Sequence, residues 1–267
     1  FQADAGIRAR LVAGVQTCAL PILSCAGLRD FMDRLEREGR LVRVSEPVSP
    51  ALEMTEIQTR LLAEGGPAVL FENVVGEGGE PFAMPVLVNL FGTVERVAWG
   101  MNREPGQLRE VGEMLAFLRQ PEPPGGWRDA MNLLPLLKSA LAMRPKKTSR
   151  PSCQEVVWEG DDVDLGRLPV QTCWPGEPAP LITWPLVVTR GPDQDDGVNL
   201  GIYRMQVTGK NTTLMRWLSH RGGAQQFARW KQSRTDPMPV AAVIGADPGT
   251  ILAAVTPVPD TLSEYQF

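Results

Sequence analysis

Only one of the 267 residues is a histidine, His220. It stands in the stretch NLGIYRMQVTGKNTTLMRWLSHRGG at 199–223, together with Asn199, Arg204, Arg216 and Arg221. An amide oxygen and an imidazole nitrogen within reach of one another can hold a divalent cation, and guanidinium forks can grip a phosphate or carboxylate. A single histidine also excludes every centre that needs two or three imidazoles from the chain, including the common catalytic zinc sites. Whether Asn199 and His220 meet depends on one turn. With Gly209-Lys210 as a two-residue type II′ turn, they lie directly opposite each other on one face of a hairpin. With Lys210-Asn211 they are diagonal, still on one face. A three-residue turn sends them to opposite faces, because a one-residue slip inverts the pattern. Arg204 has the wrong parity to join them in an ideal strand, and a bulge at Gly201 would be needed to re-aim it. The alternative for each is structural: a hydrogen-bonded strand histidine, a turn asparagine and solvated edge arginines. Composition and spacing leave both readings open.

The elements that must position these residues are legible in outline. Leu28, Phe31, Met32 and Leu35 form an apolar helix stripe, with Gly39 where a C-cap belongs. Ser49 followed by Pro50 reads as an N-cap and first-turn proline, and Met54, Ile57 and Leu61 continue one face up to Gly65-Gly66. Short strands are expected at 68–72 and 86–89, and a helix at 111–119 that ends in a run of proline and glycine. From Cys153 onward the pattern changes to β-branched and aromatic runs at 156–158, 186–189, 201–208, 213–218 and 240–244, with one helix at 224–232. The fold class expected is α+β: an N-terminal mixed α/β domain at 24–120, a linker region at 121–151, and an antiparallel β domain of barrel type at 152–267 that the chain ends before closing.

Hydrophobic residues make up 43% of the chain and charged ones 22%, which places it among globular proteins. A net charge of -4 with no basic run argues against a nucleic-acid partner. Four cysteines, none in a C-x-x-C pair, argue against a disulfide framework and fit a reducing, cytoplasmic compartment. Residues 1–23 fit poorly with the rest. Arg8 and Arg10, the apolar stretch at 11–23 and Ser24-Cys25-Ala26 follow the order of a secretory signal. GVQTCALPI at 14–22 resembles translated sequencing-adaptor sequence, and a non-native or disordered segment is expected there. The apolar stretch is too short and too interrupted by Gly14, Gln16 and Pro21 to span a membrane.

Longer blocks carry a family resemblance. They are LRDF at 28–31, GGPAVLFENV at 65–74, NLFGT at 89–93, REVGEMLAFLRQPEPP at 109–124 and GDDVDLGRLPVQTCWPGEPAPLITWPLVVTRGP at 160–192. NLGIYR at 199–204, MRWLSHRGGA at 215–224 and GADPGTILAAVTPVPDTLSEY at 245–265 complete the set. In these blocks the chain resembles the UbiD family of decarboxylases, and most closely its bacterial members that act on 4-hydroxy-3-polyprenylbenzoate in ubiquinone biosynthesis. The resemblance implies prenylated FMN bound in a split β-barrel, with manganese or another divalent cation, and potassium as a further candidate ion. It places the metal ligands at Asn199, His220 and Glu264, and cofactor contacts at Ile202, Tyr203, Arg204, Arg216, Trp217, Leu218, Arg221 and Gly222. Arg204 matches the family's catalytic arginine. One carboxylate, one amide oxygen and one imidazole form a hard donor set that suits manganese or magnesium.

The implied reaction is non-oxidative decarboxylation of a small aromatic acid, with the cofactor as electron sink. A flavin prenyltransferase would supply the cofactor, and the parent protein would be a homo-oligomer, cytoplasmic or peripheral at a membrane. Other aromatic or acrylic acids remain alternative substrates. Outside this class stand an FMN-dependent reductase-like oxidoreductase and a non-catalytic flavin-binding module. The family's proton-donating acids follow Glu264 in a Gly-Pro-containing motif that the sequence does not reach, so the 267-residue chain is expected to be inactive alone. Assaying CO2 release after cofactor reconstitution, beside a longer chain that includes those acids, checks this; robust turnover by the short form would overturn it.

Overall fold

A computed structural model describes residues 25, 27–119, 149, 151–193 and 197–256. The segment at 1–23, most of the 121–151 linker and Glu264 lie outside the described residues.

Helix α1 (Leu28–Arg37) forms on the expected stripe, with Phe31 and Leu35 fully buried. Gly39 at φ 65° ends it, as Arg40 N reaches back to Leu35 O at 2.7 Å. Such a left-handed C-terminal turn is cheap for glycine and delivers the chain directly into the next element. That element is β1 (Leu41–Val44), which pairs parallel with β2 (Ala68–Phe71); β2 pairs antiparallel with β3 (Val86–Val88). All four residues of β2 are buried, because both faces of this sheet are covered. Ala68 and Leu70 face the cluster built on α1. Val69 and Phe71 face Met54 of α2 (Glu53–Ala63).

Helix α2 starts later than Ser49-Pro50 suggests. Leu52 N donates to Thr172 O at 2.8 Å and Thr172 N to Pro50 O at 3.1 Å, so a bridge to a distant segment holds Pro50–Leu52 out of the helix. Leu52 turns into α2 at φ 65°, and the Ser49 hydroxyl accepts Ala51 N instead of capping the helix. Helix α3 (Val94–Gly100), which the periodicity did not announce, is capped by the Thr93 hydroxyl accepting Arg96 N at 3.3 Å. Helix α4 (Leu108–Arg119) follows a single 3-10 turn.

Two more three-stranded sheets, both antiparallel, make up the second half. One has β4 (Leu181–Ile182), β7 (Met205–Gly209) and β8 (Thr212–Met215), with β7 central. The other has β5 (Leu186–Arg190) between β6 (Val198–Ile202) and β9 (Val240–Val243). Helix α5 (Gly222–Ser233) packs on β5 and β6, and α6 (Pro248–Ala253) is capped by Asp247. The run at 156–158 is no strand. It lies between two 3-10 turns with Val156 and Val157 exposed and no partner to complete a ladder. The run at 201–208 is divided, because the chain leaves one sheet after Ile202 and enters the other at Met205. Among the described residues no helix is long and apolar enough to cross a membrane.

The core does not respect the division of the chain into halves. Leu186, Leu200, Val243 and Ile251 pack in one cluster with Phe31, Leu35, Leu41 and Leu70. Its edge holds a buried cation. Arg96, 1% exposed, donates Nε to Leu90 O at 3.0 Å, Nη1 to Gly66 O at 2.9 Å and Nη2 to Asn89 O at 3.0 Å. Burial lowers its pKa, with the nearby Arg40 charge acting the same way and Glu95 opposing. Asn89, itself at φ 57°, adds bonds from Nδ2 to Gly66 O and Pro67 O, so the guanidinium and the amide together satisfy a tight turn. Replacing Arg96 with Met keeps the length and leaves three carbonyls without that donor. Arg96→Met should therefore cost about 3 kcal/mol, read from urea unfolding.

Candidate functional site

The site is built on the parity of β6. Its ladder with β5 runs without a slip from Leu186↔Ile202 to Arg190↔Val198. Leu200 and Ile202 consequently face the shared core, while Asn199 and Gly201 face the other way, toward α5. Thr189, opposite Asn199, is on that same face. The bulge that would re-aim Arg204 is absent at Gly201; the register shift on this stretch lies in the β7–β8 ladder, between Val207 and Gly209.

Gly201 has a different task. A Cβ there would meet the Tyr203 ring at 2.8 Å, so the missing side chain seats the aromatic. The Tyr203 hydroxyl accepts Gly223 N at 3.2 Å in the first turn of α5. Tyr203 and Trp217 meet edge to face at 5.9 Å between centroids, and Trp217 meets Phe227 of α5 at 5.5 Å. Trp217 Nε1 is buried and donates to no group among the described residues, a feature that fits a ligand acceptor beside this cluster.

Asn199 and His220 do not face each other across a hairpin. Lys210-Asn211 makes the turn, joining Gly209 to Thr212, but the β7–β8 ladder ends at Met205↔Met215. Beyond it β6 belongs to the other sheet, and residues 216–220 turn back toward α5. The two residues nevertheless reach the same neighbourhood by another route. Asn199 Oδ1 lies so close to Gly222 that a Cβ there would collide with it, and Gly222 follows His220 by two residues at the start of α5. His220 is exposed, and its carbonyl accepts Gln225 Nε2 at 3.3 Å. Arg221 is the extended N-cap residue of α5 and offers no side-chain cap, and of the first-turn amides Gly223 N is taken by the Tyr203 hydroxyl.

The other expected contacts lie on the segments that adjoin β6 and α5. Ile202 ends β6 half-buried, and Arg216 and Leu218 are exposed on the segment between β8 and α5. Arg204 is exposed at the crossing from β6 to β7, where the break in the strand removes the parity objection. It lies near Cys173. Burial raises that thiol's pKa, a hydrogen bond with Thr55 lowers it, Glu177 raises it and Arg204 lowers it. Glu264 lies outside the described residues, and among those described no three His, Cys, Asp or Glu side chains group as a cation site. Two residues of the site escaped the sequence reading: Thr189 and Gln226. Each is a polar residue at a buried position of an otherwise apolar face, Thr189 in Leu-Val-Val-Thr and Gln226 on the stripe Gly223, Gln226, Trp230.

Residues 32–115 match the 3-octaprenyl-4-hydroxybenzoate carboxy-lyase N-terminal domain, and residues 144–267 match the 3-octaprenyl-4-hydroxybenzoate carboxy-lyase Rift-related domain. Both are domains of one family, and together they span well over half of the chain. The chain belongs to the UbiD family. Solved UbiD structures agree with it. The UbiD-class enzyme HmfF from Pelotomaculum thermopropionicum, in complex with FMN, is 26% identical with a TM-score of 0.67, over 90% of this chain and 47% of that one. An evolved dimeric form of HmfF in complex with prFMN gives 26% and 0.65, over 89% and 48%. The closed form of vanillic acid decarboxylase from Sedimentibacter hydroxybenzoicus gives 25% and 0.71, over 90% and 47%. The chain thus spans just under half the length of these solved structures.

The glycine pair of α5 offers a test of the site's geometry. At Gly223 a Cβ meets only ring atoms at 3.4 Å, an ordinary contact, whereas at Gly222 it displaces the Asn199 amide. Gly222→Ala should lose the Asn199–Thr189 hydrogen bond, about 1 kcal/mol, while Gly223→Ala should be neutral or slightly stabilising. Thermal unfolding of the two variants side by side checks the contrast.

Proposed function

We propose that this chain forms the cofactor-cradling part of a UbiD-type decarboxylase that removes CO2 from an aromatic acid without net oxidation. The observation that carries the reading is the convergence of Asn199, Tyr203 and Gly222 at the N-terminus of α5, on blocks that carry the family resemblance. In this reading β4–β7–β8 and β6–β5–β9 are the two sheets of a split β-barrel, within a second domain at 152–267 that follows an N-terminal domain at 24–120.

The residues present fit the implied groups. Asn199 presents its oxygen toward the α5 terminus, and the exposed His220 ring is next to it in sequence. With Glu264 these are the hard donors that would hold manganese or another divalent cation, potassium being the further candidate, beside a cofactor phosphate. The start of α5, which has no side-chain cap, and the forks of Arg216 and Arg221 suit that phosphate. Trp217 and Leu218 supply apolar surface for a flavin ring, whereas Ile202 turns its side chain to the shared core and has only main-chain groups to offer a cofactor. Prenylated FMN, when bound, would supply the electron sink for the carbanion that CO2 leaves behind.

Arg204 is the substrate-facing residue in this scheme. Its guanidinium orients the departing carboxylate by paired hydrogen bonds, and as CO2 leaves, the electron pair of the broken C–C bond stays with the substrate until a proton arrives. The substrate proposed is 4-hydroxy-3-polyprenylbenzoate of ubiquinone biosynthesis, supported by the descriptions of both matched domains. Another aromatic acid is the runner-up, since a similar structure is a vanillic acid decarboxylase. A flavin prenyltransferase as cofactor supplier, a cytoplasmic location and a homo-oligomeric parent complete the proposal.

The test is to follow CO2 release from candidate aromatic acids by the full-length parent reconstituted with prenylated FMN and Mn2+. Arg204→Lys keeps the charge and loses the fork, so it should lower kcat by about 100-fold or more while flavin absorbance stays. Unchanged turnover in that variant would remove Arg204 from the reaction.

A further inference from the structure

A chain of hydrogen bonds with a buried central link runs behind Asn199, and its donors and acceptors admit one order. Gly197 O can only accept, and Gln226 reaches it at 2.9 Å, so that end of the Gln226 amide is the Nε2. Gln226 then turns Oε1 toward Thr189, whose hydroxyl must donate its one proton there, at 2.7 Å. With that proton used, the Thr189 oxygen accepts from Asn199 at 3.2 Å, and the Asn199 group facing it must be Nδ2. Asn199 Oδ1 is left on the opposite side, against Gly222. Thr189 is 1% and Gln226 7% exposed, so water does not compete for the central Thr189–Gln226 bond, while the bonds at Gly197 and Asn199 are part-buried.

We infer that Thr189 and Gln226 are positioning residues which fix the Asn199 amide with its oxygen, not its nitrogen, presented at the α5 terminus. The reason is chemical. An amide nitrogen bears two protons and no available lone pair, so a flipped Asn199 would turn donors toward a cation and repel it. Two near-isosteric orientations of an asparagine cost little to exchange unless a neighbour distinguishes them. Here the carbonyl of Gly197, two residues before Asn199 and anchored at the start of β6, settles the choice through α5 and β5. Partners behind a ligand set its orientation and commonly alter metal affinity 10- to 100-fold when removed. This inference rests on the reading of Asn199 as a cation ligand.

The two can be separated by titrating the purified chain with Mn2+ alone, following the free-ion EPR signal, for wild type, Asn199→Ala, Thr189→Val, Thr189→Ser and Gln226→Met. Thr189→Val keeps the shape and loses the hydroxyl; it should weaken Mn2+ binding by about tenfold or more, with Thr189→Ser restoring it. Gln226→Met frees the hydroxyl to rotate and should act in the same direction, which covers the case of a Val variant that does not fold. In the 15N spectrum, the Asn199 side-chain amide should shift in Thr189→Val and stay in place in Thr189→Ser, a signature that lost packing alone would not give. If Asn199→Ala loses affinity while both Thr189→Val and Gln226→Met bind as wild type, the positioning inference is wrong and the ligand reading stands. If Asn199→Ala is indistinguishable from wild type, the ligand reading falls, and the inference with it.

Discussion

The two-faced pairing of β6 with β5 is the constraint on which the rest depends. Alternation along a strand assigns each residue to one side, and a one-residue slip would exchange them all. In this ladder Leu200 and Ile202 fall on the side of Phe31 and Leu35, and Asn199 and Gly201 on the side of α5. Burial of the first set therefore fixes the second. A register that exposed Leu200 would carry Asn199 into the apolar core, and each buried leucine is worth roughly 2 kcal/mol against that alternative. The hydrophobic effect thus aims a polar side chain it does not touch.

The same pairing connects the halves of the chain. Cross-chain burial ties β5, β6 and β9 to α1 and the β1–β3 sheet, and the bridge between Pro50–Leu52 and Thr172 ties them a second time. The ridge of contacts explains why α2 begins late and why its entry residue takes a left-handed conformation. Backbone strain at Leu52 is tolerated because two main-chain hydrogen bonds to Thr172 accompany it.

Two groups of buried polar side chains in this fold are settled by hydrogen bonding and not by charge pairing. Arg96 has three carbonyls as its partners, and the Gly197–Gln226–Thr189–Asn199 sequence consumes its donors and acceptors in order. Such arrangements are costly when half complete and rigid when complete. Rigidity is what the proposed role of the Asn199 oxygen as a cation ligand requires.

By itself the sequence determined the local elements with strong periodicity, such as α1 with its Gly39 terminus, and the blocks that carry the family resemblance. It also marked Asn199 and His220 as one neighbourhood, though for a reason that did not survive. A continuous hairpin from 199 to 220 was the simplest extension of a strand–turn–strand pattern, because nothing local to Tyr203 or Arg204 announces a change of sheet. Tertiary structure decided that change: Tyr203 folds onto Gly201 and its hydroxyl accepts Gly223 N at the α5 terminus, so the chain crosses there. Thr189 and Gln226 were invisible for the related reason that their partners are ten or more residues away. Hydrogen-bond order among distant groups is written in three dimensions, whereas periodicity records only which side of an element faces water.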